Sequence, residues 1–398
     1  MDEIEQLLTR GVDKIYPSKE ELEKVLRSGK KIKLYQGFDP TGTELHIGHM
    51  IGLRKLSQWQ KLGHKVIFLI GTGTGQAGDP TGKLSTRDKF FNEQELKENA
   101  KEYVMQAKKL LDFEGENAVE ILYNGDWLNK LGLADVLNIA GHLTVQQLIE
   151  RDMFQKRLQE KQPINLREFV YPLLQGYDSV EMEVDLELGG SDQTFNMLVG
   201  RQLLKSMKGK EKFVMTTPLL ADSQGRKIGK SEGNVISITD RPEDLFGKIM
   251  SLSDDVIITA MEYLTDMSMD EITEIKKRMG GGDNPIIYKK RLAYEIVQQL
   301  NGESEAERAQ SSFKSVVQDK ELPSDILEIS IKDGTSVSEL VISNNLVDSN
   351  SEWKRLVSQG AVSINEDRIE NPFIRTNDLA DGGILKIGKR KYAKIIKS

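Results

Sequence analysis

The sequence predicts an α/β protein built on a parallel sheet with helices on both faces, and three observations predict it. Two apolar, strand-like runs, 31–38 and Lys65–Ile70, are each bounded by glycine or proline. Each is followed by a segment whose apolar residues recur at helical spacing, which is the βαβ pattern. Residues 118–123 repeat the strand signal after a helical stretch at about 93–111, and a parallel sheet is the economical way to bury all three runs.

The remaining elements follow in order. Residues 131–162 read as helical with Pro163 as a stop, an insertion suited to a dimer surface. Residues 169–180 form another helix, in which Pro172 is tolerable only within the first turn. Residues 213–220 return to strand, and beyond Asp240 the chain turns helical and highly charged. Pro323, Ser324, Asp325, Asp333 and Gly334 break that pattern and read as a linker. Two amphipathic stretches, 337–346 and 351–357, then precede a short strand at 362–365. The end of the chain carries Lys386, Lys389, Arg390, Lys391, Lys394 and Lys397 without an acid, and reads as a basic β-hairpin.

Composition bounds the function. A length of 398 residues is too great for one ordinary core and implies two or three domains. With no cysteine, structural disulfides, thiolate-metal sites and a cysteine nucleophile are excluded. The apolar run 66–70 is far short of the roughly 20 residues of a membrane span, and the N-terminus is acidic. The expectation is a soluble cytoplasmic chain that engages no membrane. Lys and Arg number 55 against 62 acids, a net charge of -7, so contact with nucleic acid has to use local basic patches.

Six motifs carry chemical meaning. His46 and His49 stand where a strand and loop give way to a helix, so both rings can face the space beside the helix N-terminus, a setting that suits an anion. Their spacing alone is equally compatible with incidental surface histidines or half of a metal site. Gly73, Gly75 and Gly78 have GxGxxG spacing, but they follow the second strand and run into a proline, and a P-loop is excluded by Ala77 and Leu84. DPTG occurs at 39–42 and again at 79–82, which places two similar turns at the carboxyl edge of the sheet, where such sheets bind ligands. Tyr171, Gln175 and Asp178 share one face of a helix, either its solvated side or a pocket wall offering donors and acceptors. GGSDQ at 189–193 ends a strand and opens a helix, with Ser191 or Asp192 as N-cap. GRKIGKS at 225–231 sets Arg226, Lys227 and Lys230 among glycines, a loop able to bring cations to a polyphosphate or simply a solvated turn.

LHIGHM, the two DPTG turns, YPLLQGYD, GGSDQ and KIGKS together resemble, in order and spacing, the bacterial tyrosyl-tRNA synthetases of class I. The resemblance spans essentially the whole chain. It implies a Rossmann-like parallel-sheet catalytic domain over 1–238 whose helical insertion at about 125–165 makes a homodimer interface. An α-helical anticodon-side domain over 239–319, a linker over 320–334 and a small α+β RNA-binding domain over 335–398 would follow.

It also implies roles. Tyr35 and Asp178 would hold the phenol hydroxyl of L-tyrosine, and Asp79, Tyr171 and Gln175 its ammonium. Gly37, Asp39 and Thr41 would line the amino acid and phosphate site, and Gln193 would lie near the reacting carboxylate. His46, His49, Lys227 and Lys230 would act on the ATP phosphates with Mg²⁺, which arrives with ATP instead of in a protein metal site. Gly190 and Asp192 would contact the ribose, and Lys386, Lys389, Arg390 and Lys391 would contact tRNA(Tyr). Gln36 and Glu187 receive no role. The loop departs from the class signature KMSKS at Gly229 while keeping both lysines. A tryptophan-specific relative and a non-enzymatic RNA-binding paralogue are the competing readings.

Overall fold

The computed structural model describes residues 2–81, 90–225, 228, 235–315, 327–331, 334–365, 367–378, 382–388 and 391–397. Six strands form the first sheet: β1 (Lys14–Tyr16), β2 (Lys33–Phe38), β3 (Lys65–Ile70), β4 (Glu120–Tyr123), β5 (Leu186–Gly190) and β6 (Phe213–Thr217). Their order is β1-β6-β5-β2-β3-β4, all parallel except the short edge strand β1. In β3 every residue after Lys65 is buried, as expected of a strand covered on both faces. The strand order reverses between β5 and β2, and the crevice outside the carboxyl ends at such a reversal is where ligands bind.

Several elements differ from expectation for identifiable reasons. Strand β2 starts at Lys33 because the amide of Ile32 donates to His64 Nδ1 at 3.2 Å instead of to a neighbouring strand. Strand β6 stops at Thr217, since Pro218 has no N–H for the ladder. The 131–162 segment is helical in three pieces, Leu133–Ala140, Val145–Ile149 and Asp152–Gln159. The helix expected at 169–180 runs over Leu166–Met182, so Pro172 lies in its second turn and not its first. Its start is fixed by a capping box between Asn165 and Glu168, and Glu168 also pairs with buried Arg157 at 2.9 Å. Burial of the apolar side chains of Leu173 and Val180 on the same helix offsets the one hydrogen bond that proline removes. GGSDQ enters a short 3₁₀ turn, Ser191–Gln193, before the helix Thr194–Lys208, whose N-cap Gln193 makes no side-chain cap bond, so neither Ser191 nor Asp192 caps it.

The chain divides into two compact units, 1–240 with 252–292, and 241–251 with 293–398. The helical stretch expected over 239–319 is therefore shared. Ile257–Leu264 and Met269–Gly280 fall in the first unit; Pro242–Met250 and Glu303–Phe313 fall in the second, where Phe246 and Phe313 pack with ring centroids 5.4 Å apart. The second unit also holds strands β7 (Leu327–Ile331), β8 (Val362–Ile364), β9 (Asp367–Arg368), β10 (Ile384–Ile387) and β11 (Lys391–Lys397), in the order β7-β11-β10-β8-β9. Strand β7 lies inside the stretch read as linker. Its alternation of Leu327, Ile329 and Ile331 with polar residues suits a half-buried strand, and it pairs in parallel with β11. The expected basic hairpin is β10 with β11, antiparallel. No helix among the described residues is long and apolar enough to cross a membrane.

His64 yields a test of the first sheet. It is buried edge-on against Trp59 at 4.9 Å between ring centroids, and burial, with Lys31 nearby, lowers its pKa from 6.5 to about 4. The neutral ring is the acceptor that Ile32 needs. The unfolded chain therefore takes up a proton near pH 6.5 that the folded chain refuses until about pH 4, so folding stability falls as pH drops through that window. Urea unfolding followed across the window should report this slope, and His64→Gln should flatten it; an unchanged slope in the variant would contradict the assignment.

Candidate active site

Every described residue that the sequence assigned to nucleotide or amino acid lines one cavity of about 810 Å³ at the carboxyl edge of the first sheet. Strand β2 and its following turn supply Tyr35, Gly37, Asp39 and Thr41, and the next helix supplies His46 and His49. Asp79 comes from the second DPTG turn, Tyr171, Gln175 and Asp178 from the Leu166–Met182 helix, and Gly190, Asp192 and Gln193 from the end of β5. Lys227 and Lys230 lie outside the described residues.

The two histidines organise the start of the Ile47–Lys61 helix. His46 Nδ1 accepts from the amide of Gly48 at 3.1 Å, His49 Nδ1 accepts from the amide of His46 at 3.2 Å, and the ring centroids are 3.9 Å apart. With Nδ1 accepting, each neutral ring carries its proton on Nε2 and is a donor there. Two such donors beside a helix N-terminus suit phosphate oxygens. Among the described residues no group of three or more histidines or acids could hold a metal ion.

Backbone pairing joins the histidine segment to the chain just beyond KIGKS. The amide of Ile47 donates to the Ile236 carbonyl and that of Ile238 to the Leu45 carbonyl, both at 3.0 Å, and Ile228 and Val235 line the cavity. The chain just beyond KIGKS is thus stitched to the beginning of the histidine helix.

Acids and their donors occupy the opposite wall. Asp39 accepts from Thr74 Oγ1 at 2.6 Å and from the Tyr171 hydroxyl at 2.9 Å. A Cβ on Gly71 would stand 1.9 Å from Asp39 Oδ1, so the start of the glycine run makes room for this acid, and the short helix Thr74–Ala77 follows. A Cβ would stand 2.8 Å from Leu128 Cδ1 at Gly73 and 2.9 Å from Leu96 Cδ2 at Gly75, so packing accounts for two of the three glycines with fingerprint spacing. Asp79 accepts from the Thr81 amide and from Gln193 Nε2, both at 2.9 Å.

Deeper in, Asp178 accepts from Asn124 Nδ2 at 3.0 Å and Trp127 Nε1 at 2.9 Å. Burial raises its carboxyl well above the usual range, and these two donors act against that rise. The Tyr35 hydroxyl pairs with Ser179 Oγ at 2.9 Å, so Tyr35 and Asp178 share the cavity, each with its own partner. Burial also raises the Tyr35 and Tyr171 phenols well above their ordinary value, which keeps both neutral. Gln175 Nε2 donates to Glu187 Oε1 at 3.1 Å, and Glu187 is ion-paired to Lys212, both fully buried.

Asn124, Trp127, Ser179, Glu187 and Lys212 are site residues that the sequence reading missed. The legible signal was Glu187, an acid between two leucines in a strand otherwise apolar up to its glycines. In the second unit, Lys391 donates to the Leu346 carbonyl at 2.8 Å and the Lys386 ammonium lies 5.3 Å from the Tyr392 ring centroid, while Lys389 and Arg390 fall outside the described residues.

The family model for class I tRNA synthetases (W and Y) matches residues 27–318. This chain belongs to that family. Among curated relatives, a tyrosine–tRNA ligase of Methylococcus capsulatus is 43% identical over 400 residues, covering 99% of this chain and 98% of its own. One of Dehalococcoides mccartyi is 40% identical over 397 residues, covering 99% and 98%. Among solved structures, the C-terminally truncated mitochondrial tyrosyl-tRNA synthetase of Aspergillus nidulans superposes with a TM-score of 0.66 at 24% identity, over 79% of this chain and 94% of that one, a likeness of fold.

Proposed function

We infer that the chain is a tyrosine–tRNA ligase, and the observation that carries the reading is the convergence of both signature segments and the acid-lined wall on one cavity. L-Tyrosine enters with its ring toward Tyr35 and Asp178 and its ammonium toward Asp79, Tyr171 and Gln175. Its carboxylate, ionised at neutral pH, attacks the α-phosphorus of ATP; the bond to the bridging oxygen breaks, and pyrophosphate leaves with the electron pair. No general base is needed, so positioning and charge neutralisation do the work. His46 and His49 meet the phosphates, and Lys227 and Lys230 of the KIGKS loop are proposed to share that role. Gly190 and Asp192 take the ribose. A hydroxyl of the terminal ribose of tRNA(Tyr) then attacks the tyrosyl carbonyl, and AMP is released.

Mg²⁺ is proposed to enter on the ATP phosphates. It would neutralise phosphate charge. The helical insertion exposes Leu133, Leu137, Val145 and Leu158, with Leu166 beside it, and we propose that a second copy of the chain covers them in a homodimer. Sedimentation of a monomer at micromolar concentration would contradict that proposal. The basic hairpin of the second unit is the proposed tRNA surface, and a cytoplasmic location, where ATP and tRNA are at hand, is proposed with it. Incubation with labelled tyrosine, ATP and bacterial tRNA should yield charged tRNA, whereas labelled tryptophan should not; charging by tryptophan would favour the other branch of the family.

A further inference from the structure

Glu187 stands opposite Tyr35 in the pairing of β5 with β2, at the floor of the cavity. It has no exposed surface to speak of, and neither has Lys212, its partner. Lys212 also donates to Ser179 Oγ, which in turn pairs with the Tyr35 hydroxyl. The helix Thr194–Lys208 closes on this cluster so tightly that a Cβ on Gly200 would stand 2.7 Å from Lys212 Nζ, 3.0 Å from Ser179 Oγ and 3.3 Å from Glu187 Oε2. A charge pair is costly to bury, and replacing one by apolar residues is often neutral or stabilising. Packing alone is therefore a poor account of its presence beside a binding cavity.

Gln175 supplies a better one. An amide presents a donor on one side and an acceptor on the other, and the partner decides which faces where. An ionised carboxylate only accepts, so Glu187 holds the NH₂ of Gln175. That leaves Gln175 Oε1, which is buried with no hydrogen-bond partner among the described residues, on a side chain that lines the cavity. We propose that Glu187 and Lys212 are positioning residues that set the polarity of Gln175: Lys212 keeps Glu187 an acceptor, Glu187 captures the amide NH₂, and the amide oxygen is presented to the ammonium group of the amino acid. This rests on the ligase reading above, in which Gln175 meets that ammonium. Substituting glutamine for Glu187 removes the constraint, because the new amide can donate to Gln175 and turn its NH₂ toward the cation.

The test separates ammonium recognition from general damage. Equilibrium binding of L-tyrosine and of 3-(4-hydroxyphenyl)propionate, which lacks the ammonium, is measured by calorimetry for the full chain and for Glu187→Gln. Tyrosine should weaken by at least about tenfold, the size expected when a hydrogen bond to a charged group is lost, while the propionate stays within about twofold. Glu187→Gln leaves Lys212 buried without its counter-charge, so Glu187→Gln with Lys212→Met, in which neither charge remains, is measured alongside and should give the same split. Equal weakening of both ligands, or tyrosine binding unchanged in a folded variant, overturns the proposal. Failure of the unaltered chain to bind tyrosine at all would instead refute the ligase reading, so the two failures are distinguishable.

Discussion

His49→Ala is expected to slow formation of the adenylate by about 10²–10³-fold while leaving tyrosine binding nearly unchanged, the size seen when one preorganised donor to transition-state charge is lost. The geometry explains the separation. His49 lies at the helix start, on a different element from the Leu166–Met182 wall that meets the amino acid, and its Nδ1 is committed to the amide of His46. Nε2 is the nitrogen assigned to a phosphate oxygen, and phosphate charge shifts most in the transition state. Alanine also removes a capping partner, at a cost of about 0.5–2 kcal/mol of stability. Glutamine, the usual residue at that position of a capping box, should restore the thermal midpoint and leave the rate low. Single-turnover adenylate formation set beside equilibrium tyrosine binding decides it: equal losses in both would contradict a phosphate role.

Asp178→Ala should do the opposite, weakening tyrosine by roughly 10–100-fold while changing ATP binding little. The carboxyl faces the cavity and accepts from the half-buried Trp127 and the buried Asn124, donors that its removal would leave unsatisfied. Phenylalanine, lacking the hydroxyl, has nothing to lose at this position, so the ratio of tyrosine to phenylalanine kcat/KM should fall by the same roughly 10–100-fold. Amino-acid-dependent pyrophosphate exchange for the two substrates measures it directly, and a preserved ratio would move phenol recognition elsewhere.

What was legible in the sequence were the features that repeat a short-range rule. The βαβ alternation gave the parallel sheet, and the switch between β5 and β2 then gathered Asp39, Tyr171 and Gly190 from distant stretches of chain. The histidine pair was readable because a helix start makes its own geometry. Pairings across the fold were not. Nothing near Lys212 in sequence announces Glu187, nor does anything near Asn124 and Trp127 announce Asp178, since each pair is joined only once strands and helices are stacked. Strand β7 was hidden by its surroundings: proline and aspartates dominate the stretch, while its partner β11 lies about sixty residues on.

In the ligase reading, one cavity joins tyrosine to the α-phosphate of ATP. Amino-acid-dependent exchange of labelled pyrophosphate into ATP, run in parallel with tyrosine, with tryptophan and with no amino acid, tests it most directly. Exchange supported by tyrosine and by neither control is the predicted result; exchange absent with tyrosine, or equal with tryptophan, would contradict the account.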